Sequence, residues 1–292
     1  MKNNPDLIIG SDFHLREDKP VCRTDDYWAE IWRKMDFISD LQKKYNCPVI
    51  CAGDLFHHWK PSPYLITETI KHIPNNFWTI YGQHDLPQHN LDLAYKSGIN
   101  TLIEAGKIHA MEATHFGQIP SEIPKKITIG GLNNPILVWH TFNYQGKAPW
   151  PGCIAPTGRK LLKKYPEYDL IITGDNHKTF VEEYQGRILV NPGSLMRSNA
   201  DQINHKPCVF LYYASTNTVK QVFLPINKDV ISQEHIEKAE ERELRIDSFI
   251  NKLKDDTQSF LSFEDNVKSL IHSNKDIHKK TIELIYKALD NE

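Results

Sequence analysis

Residues 48–62 read PVICAGDLFHHWKPS. The apolar run from Pro48 to Gly53 is short and bounded by a proline and a glycine, so it reads as a buried strand. Gly53 lets the chain turn sharply as that strand ends, and Asp54 stands just beyond it. The same pattern recurs on both sides: DLIIG (6–10) leads into SDFH, FWTIYG (77–82) into QHD, ILVWH (136–140) into Thr141, and DLIITG (169–174) into DNH. Further strands are expected at ITIGG (127–131), RILVN (187–191) and CVFLYY (208–213), the last opening a hairpin that turns at residues 215–217. Between the first three strands, Trp28, Ile31, Trp32, Met35, Ile38 and Leu41 recur at helical spacing, and a shorter helix is expected around Tyr64 to Ile73. Strands alternating with helices imply parallel βαβ units. The expected fold class is α/β, with two mixed sheets packed face to face and helices outside.

Composition narrows the class. The 292 residues are 40% hydrophobic and 25% charged, as in an ordinary globular protein, which excludes fibrous and wholly disordered readings. A net charge of −2 argues against a protein that holds nucleic acid by bulk charge alone. No apolar run approaches the roughly 18 to 20 residues of a spanning helix, and the first residues carry too short an apolar stretch for a secretory signal. Five scattered cysteines, none in a C-x-x-C pair, fit free thiols in a reducing compartment, so a cytoplasmic location without membrane association is expected. From Asp229 onward the composition changes: 15 acidic and 10 basic residues, a net of −5, with no proline or glycine. That stretch reads as two or three amphipathic helices. The expected division is a core domain at 1–228 and a short helical appendage at 229–292.

Metal-type side chains collect just past the strand ends: Asp12 and His14, Asp54, Gln83 and His84, His140, Asp175 and His177. In open α/β sheets the loops at the carboxyl ends of strands converge on one crevice, so these sets make a ligand shell. Asp12 and His14 are two apart on an extended segment and can face the same ion while Phe13 turns inward. Asp54, with two oxygens, can bridge two ions. Carboxylate, imidazole and amide oxygen together suit manganese or iron(II), and the lack of cysteine ligands argues against structural zinc.

The order DFH, GD, GQHD, His140, GDNH over residues 12 to 177 resembles the calcineurin-like metallophosphoesterases, whose pattern is D-x-H, G-D, G-N-H-[DE], H, G-H-x-H. GDLFHHWKPS looks more narrowly like the DNA repair nucleases of the SbcD type, and NPGSLMR (191–197) is similar to the turn that closes their site. The resemblance covers about two thirds of the chain and leaves out the helical tail. It implies a metallophosphoesterase α/β/β/α sandwich holding two divalent ions, manganese first, with magnesium, iron(II) or zinc as alternatives. Asp12, His14 and His177 would hold the first ion, Asp54 would bridge, and Gln83, His140 and Asp175 would complete the second. His84 would assist the departing oxygen, and Asp85 would orient its ring. Two positions depart from the pattern: Gln83 stands for asparagine and Asp175 for histidine, which hardens the second site toward manganese or magnesium and leaves a one-metal centre as the alternative.

Arg16, His57, His58 and Arg197 are candidates for substrate contact, and Lys147, Arg159 and Lys160 for the phosphate backbone. The resemblance implies metal-dependent hydrolysis of DNA phosphodiesters. It also implies an SbcC-like ATPase partner and a homodimer, and the small size points to a phage source and an infected bacterial cell. A phosphodiesterase or phosphatase for small nucleotides or phosphoproteins would use the same core. A catalytically inactive scaffold is the remaining alternative.

Overall fold

In β1 (Leu7–Gly10), Leu7 and Ile9 pack into one apolar layer and Ile8 into another, as the two-residue period of a strand buried on both faces requires. The computed structural model to which β1 belongs describes residues 4–111, 121–122, 136–255, 263–274 and 277–289. The same alternation holds in β2 (Val49–Cys51), where Val49 and Cys51 face one layer and Ile50 the other. Further along come β3 (Phe77–Thr79), β4 (His109–Ala110), β5 (Ser121–Glu122), β6 (Ile136–His140), β7 (Leu170–Gly174), β8 (Phe180–Tyr184), β9 (Arg187–Asn191), β10 (Cys208–Tyr213) and β11 (Thr218–Phe223). They form a six-stranded sheet in the order β11-β10-β1-β2-β3-β4 and a five-stranded sheet in the order β5-β6-β7-β9-β8. Both are mixed: β1 to β4 run parallel, β10 is antiparallel to β1 and to the edge strand β11, and β6, β7 and β9 run parallel between antiparallel β5 and β8.

Between the sheets lies a dry layer that includes Leu7, Ile9, Ile50, Val138, Ile172 and Val190. On the outer face of the larger sheet, helices α1 (Tyr27–Tyr45), α2 (Pro63–His72) and α3 (Gly98–Glu104) contribute Ile31, Met35, Ile38, Leu65, Ile99 and Leu102. On the outer face of the smaller sheet, Leu161 and Leu162 of α4 (Gly158–Lys164) cover Leu137, Ile171 and Leu189. The architecture is the α/β/β/α sandwich expected from the alternation of runs. Helix α1 starts where the Asp26 side chain accepts the Ala29 N–H at 3.0 Å and stops at Asn46, whose left-handed backbone closes the last turn onto the Gln42 carbonyl.

Several expectations shift. β8 has no counterpart in the sequence reading, because Glu182 and Glu183 interrupt its apolar run at the sheet edge. The strand expected at 127–131 lies outside the described residues. The hairpin of β10 and β11 turns through residues 214–217, with Asn217 left-handed at φ 45°. The chain divides into two compact units, 1–232 and 233–292, four residues beyond the expected boundary. The reason is local pairing: Val230 accepts the Thr24 N–H at 3.1 Å, and Ser232 donates to the Cys22 carbonyl at 2.7 Å. The second unit contains α5 (Glu234–Asp255), α6 (Phe263–Ser273) and α7 (Lys279–Leu289), packed around Val267 and Ile271. Among the described residues no helix is long and apolar enough to cross a membrane.

Candidate metal centre

β1 and β2 are parallel neighbours, so their carboxyl ends lie side by side. Beyond them the chain stays zipped: Asp12 N–H donates to Gly53 O at 3.1 Å, His14 N–H to Asp54 O at 3.0 Å, and Leu15 N–H to Leu55 O at 2.9 Å. Four expected ligands, Asp12, His14, Asp54 and Asp175, have φ of 51°, 45°, 53° and 75°. Left-handed backbone at a residue with a side chain costs about 1–3 kcal/mol and persists only where the surroundings enforce it. Here the zipped loops enforce it and turn each side chain into one crevice.

Two of the ligand groups that result consist of expected ligands, and a third brings together His14, His57 and His84. Asp12, His14 and His177 gather their ligand atoms within 4.8 Å, as do Asp12, Asp54 and His140. His14 Nε2 stands 3.1 Å from His177 Nε2, close to the roughly 3 Å that separates two adjacent ligand atoms each about 2.1 Å from one ion. His140 donates from Nδ1 to the Ala52 carbonyl at 2.6 Å, which leaves Nε2 aimed inward at Asp54 Oδ2, 3.2 Å away. Both of those inward atoms are buried and lack a hydrogen-bond partner of acceptable geometry. Orphaned acceptors this deep are rare in native proteins, and a cation satisfies both, so the residues fit a divalent metal.

The electrostatics agree. Burial opposes charge on His140, but the Asp54 and Asp12 carboxylates outweigh it and push its pKa up to about 10. Burial likewise opposes ionisation of Asp54, yet His140 and His14 hold its carboxyl below the usual range. Burial keeps His14 well below an ordinary histidine, as an imidazole with a lone pair to offer requires.

The remaining expected residues sort differently. His84 anchors Nδ1 on the His57 carbonyl at 2.9 Å, and its backbone N–H donates to Asp54 Oδ1 at 2.9 Å. Asp85 does not orient the His84 ring. Its buried carboxylate accepts the N–H groups of Leu55, Phe56 and Gly82 at 3.0–3.2 Å and so braces the loop behind Asp54. The ring is held by the His57 carbonyl and by stacking on the His57 ring, with centroids 5.3 Å apart. Gln83 and Asp175 meet each other, the amide Nε2 donating to Asp175 Oδ1 at 2.5 Å, and Asp175 joins neither ligand group.

Of the expected substrate residues, Arg16 and His57 line a small cavity with His14, His84 and His177, and Arg16 pairs with Asp18. His58 is exposed, and its Nδ1 caps the Lys60 N–H, outside that cavity. Arg197, a second expected contact, is 5% exposed, donates from its Nη atoms to the carbonyls of Ile203 and Asn227, and lines neither cavity at the centre. Lys147, Arg159 and Lys160 are exposed and line neither cavity at the centre.

Sequence reasoning passed over two kinds of support. Ser11 donates to Asp12 Oδ2 at 2.6 Å. A β-carbon on Gly82 would collide with the Asp54 carboxylate, and one on Gly174 with Ser11, Ala52 and His140. The signal was present, because a glycine precedes Gln83 and Asp175 as one precedes Asp54.

The pattern of the calcineurin-like phosphoesterase superfamily domain matches residues 6–214. No curated protein matches the chain. Among solved structures, a novel archaeal phosphodiesterase is similar at 15% identity, covering 75% of this chain and 99% of its own, with a TM-score of 0.44. Vacuolar protein sorting 29 from Cryptosporidium parvum is similar at 16% identity, covering 76% and 100%, with a TM-score of 0.38. A single mutant of Vps29 from Entamoeba histolytica matches at 14% identity, covering 75% and 99%, with a TM-score of 0.36. With its ligand residues gathered at the strand ends of a two-sheet sandwich, the chain belongs to the calcineurin-like phosphoesterase superfamily, whose domain implies metal-dependent phosphoester hydrolysis.

Proposed function

We propose that this protein is a nuclease that hydrolyses DNA phosphodiesters with two divalent ions, manganese foremost. The observation that carries the metal-dependent step is the pair of orphaned, inward-facing atoms, Asp54 Oδ2 and His140 Nε2, beside the His14 and His177 nitrogens. Asp12, His14 and His177 would hold one ion, and Asp54 and His140 the other. When bound, such ions acidify a water and draw charge from the phosphoryl oxygens. Two carboxylates in the shell favour manganese or magnesium over softer ions.

The chain's own residues supply the rest. His84 has its Nδ1–H committed to the His57 carbonyl, so Nε2 is the ring nitrogen left for the substrate. Nε2 would give a proton or a hydrogen bond to the departing oxygen. Arg16, on the cavity wall, offers a guanidinium to a non-bridging phosphate oxygen.

A second reading, a phosphodiesterase for small nucleotides, draws support from a cavity of about 510 Å³ beside His177, within the roughly 300–1,000 Å³ usual for small-molecule sites. Manganese-dependent hydrolysis of single-stranded DNA, duplex DNA, cyclic or linear nucleotide diesters and bis-p-nitrophenyl phosphate separates the two. Cleavage confined to the small diesters would replace the nuclease reading by the second.

A further inference from the structure

The cavity beside His177 is walled by the loop of residues 175–179 after β7, the loop of 199–206 before β10, and the edge strand β11. Its chemistry is uneven. Phe142 forms one wall, half-buried and backed by the Trp150 ring at 5.1 Å, and Phe223 forms another, 54% exposed on the edge strand. Asn204 and Gln221 lie among the polar groups around them, and Lys178 and Lys206 stand on the wall together with Asp175 and Asp201. His177 belongs both to this cavity and to the metal centre.

We infer that this cavity seats an unpaired nucleobase whose own phosphodiester lies at the metal centre. Flat aromatic faces with amides near them suit a ring that is apolar on its faces and polar at its edges, and the lysines suit the flanking phosphate. A lipid or apolar peptide would find the wall broken by charged and amide groups. A base stacked within a duplex cannot enter without leaving its partner, so an unpaired nucleotide binds at less cost. The base can come from a strand end or from a free nucleotide, because both present the same ring and phosphate. This inference rests on the proposed hydrolysis of phosphodiesters, common to both readings, and specifies the substrate.

Two measurements test it on the full chain. In calorimetry, thymidine 5′-monophosphate should bind more tightly than deoxyribose 5-phosphate. Equal affinities would overturn the inference whatever the enzyme hydrolyses. In kinetics, Phe142→Leu and Phe223→Leu keep apolar bulk and remove the stacking face. Each should lower kcat/KM for thymidine 5′-(p-nitrophenyl phosphate), relative to bis-p-nitrophenyl phosphate, by about 5- to 100-fold. An unchanged ratio, or blunt duplex cut as fast as the same single strand, also overturns it. A single-stranded oligonucleotide preferred over the mononucleotide ester assigns the base to a strand end, and the reverse preference assigns it to a free nucleotide. Selective base binding without hydrolysis of any ester would remove the proposed hydrolysis and leave the pocket.

Discussion

The deep half of the centre and its open half are built by different means. Asp12 and Asp54 are fully buried and His140 is 5% exposed, each fixed by a strand end, a left-handed turn or a backbone carbonyl. The His177 side chain is 37% exposed, and His84 and His57 are half-buried on loops and held by one another. Preorganisation is thus concentrated where the metals would sit, and the side chains left to meet substrate are the more exposed ones. The division of labour predicts a gradient of effects from the deep half outward.

The largest effect is expected at Asp54. Its Oδ1 accepts the His84 N–H, and its Oδ2 faces His140 and His14. Asp54→Ala should abolish metal binding and lower diester hydrolysis by more than the roughly 10- to 100-fold that loss of an outer hydrogen-bond partner costs. Metal content after gel filtration checks the first part, and an Asp54→Ala protein that keeps both ions would dissolve the contrast between the halves.

His84→Ala comes next and should separate the halves most cleanly. The substitution removes a ring that no metal group requires except the cluster of His14, His57 and His84. Metal content should stay, while kcat falls by about 100- to 10,000-fold, the usual range for a lost general acid. The loss should shrink for a p-nitrophenyl leaving group, which departs without a proton. Equal losses on good and poor leaving groups would give His84 a different task.

The deep half was the legible half. Asp12, His14, Asp54 and His140 stood out through their joint order along the chain, since any one such strand end alone is commonly a solvated turn. The open half was misread where tertiary partners decide. Asp85 looks like a histidine's orienting acid in sequence, but its partners are three backbone N–H groups that no side-chain motif displays. Arg197 looks like a phosphate ligand, but its Nη atoms donate to main-chain carbonyls. Even Pro61 and Ser62, which end the GDLFHHWKPS stretch that resembles the SbcD type, serve local structure here: Ser62 Oγ accepts the Leu65 N–H at 3.0 Å and starts α2, while Pro61 packs against Gly98. Sandwich topology was readable from the alternation of runs, and the missed β8 shows the limit of that signal at a sheet edge.

Asp85 therefore predicts stability before activity. Asp85→Ala strands three buried N–H groups, each worth about 1–3 kcal/mol when left unsatisfied. Urea unfolding should shift by several kcal/mol in the metal-free protein, and any loss of turnover should be accompanied by loss of metal, because the loop it braces carries Asp54. A variant of native stability with a selective loss of turnover would restore the orienting role.

The smallest effect is expected from removing the second unit. Every residue of the two main ligand groups lies between Asp12 and His177, and Arg197, the end of the loop that follows, is secured within the first unit. The cut belongs after Ser232, because Val230 and Ser232 pair with Thr24 and Cys22, and a cut after Lys228 would strip those partners. Among the described residues of 233–292, Val267 and Ile271 are the buried apolar side chains, with Phe249, Leu270, Ile282 and Ile285 among those packed against them. The acidic balance of this unit makes it a poor surface for DNA, and we propose a second copy of this chain or an SbcC-like coiled coil as its partner. The truncate should hydrolyse bis-p-nitrophenyl phosphate within about twofold of the full chain, since no ligand is lost, and should sediment as a smaller species if the tail self-associates. A folded, metal-loaded truncate without diesterase activity would place part of the catalytic work in the helices and end the separation of the two units.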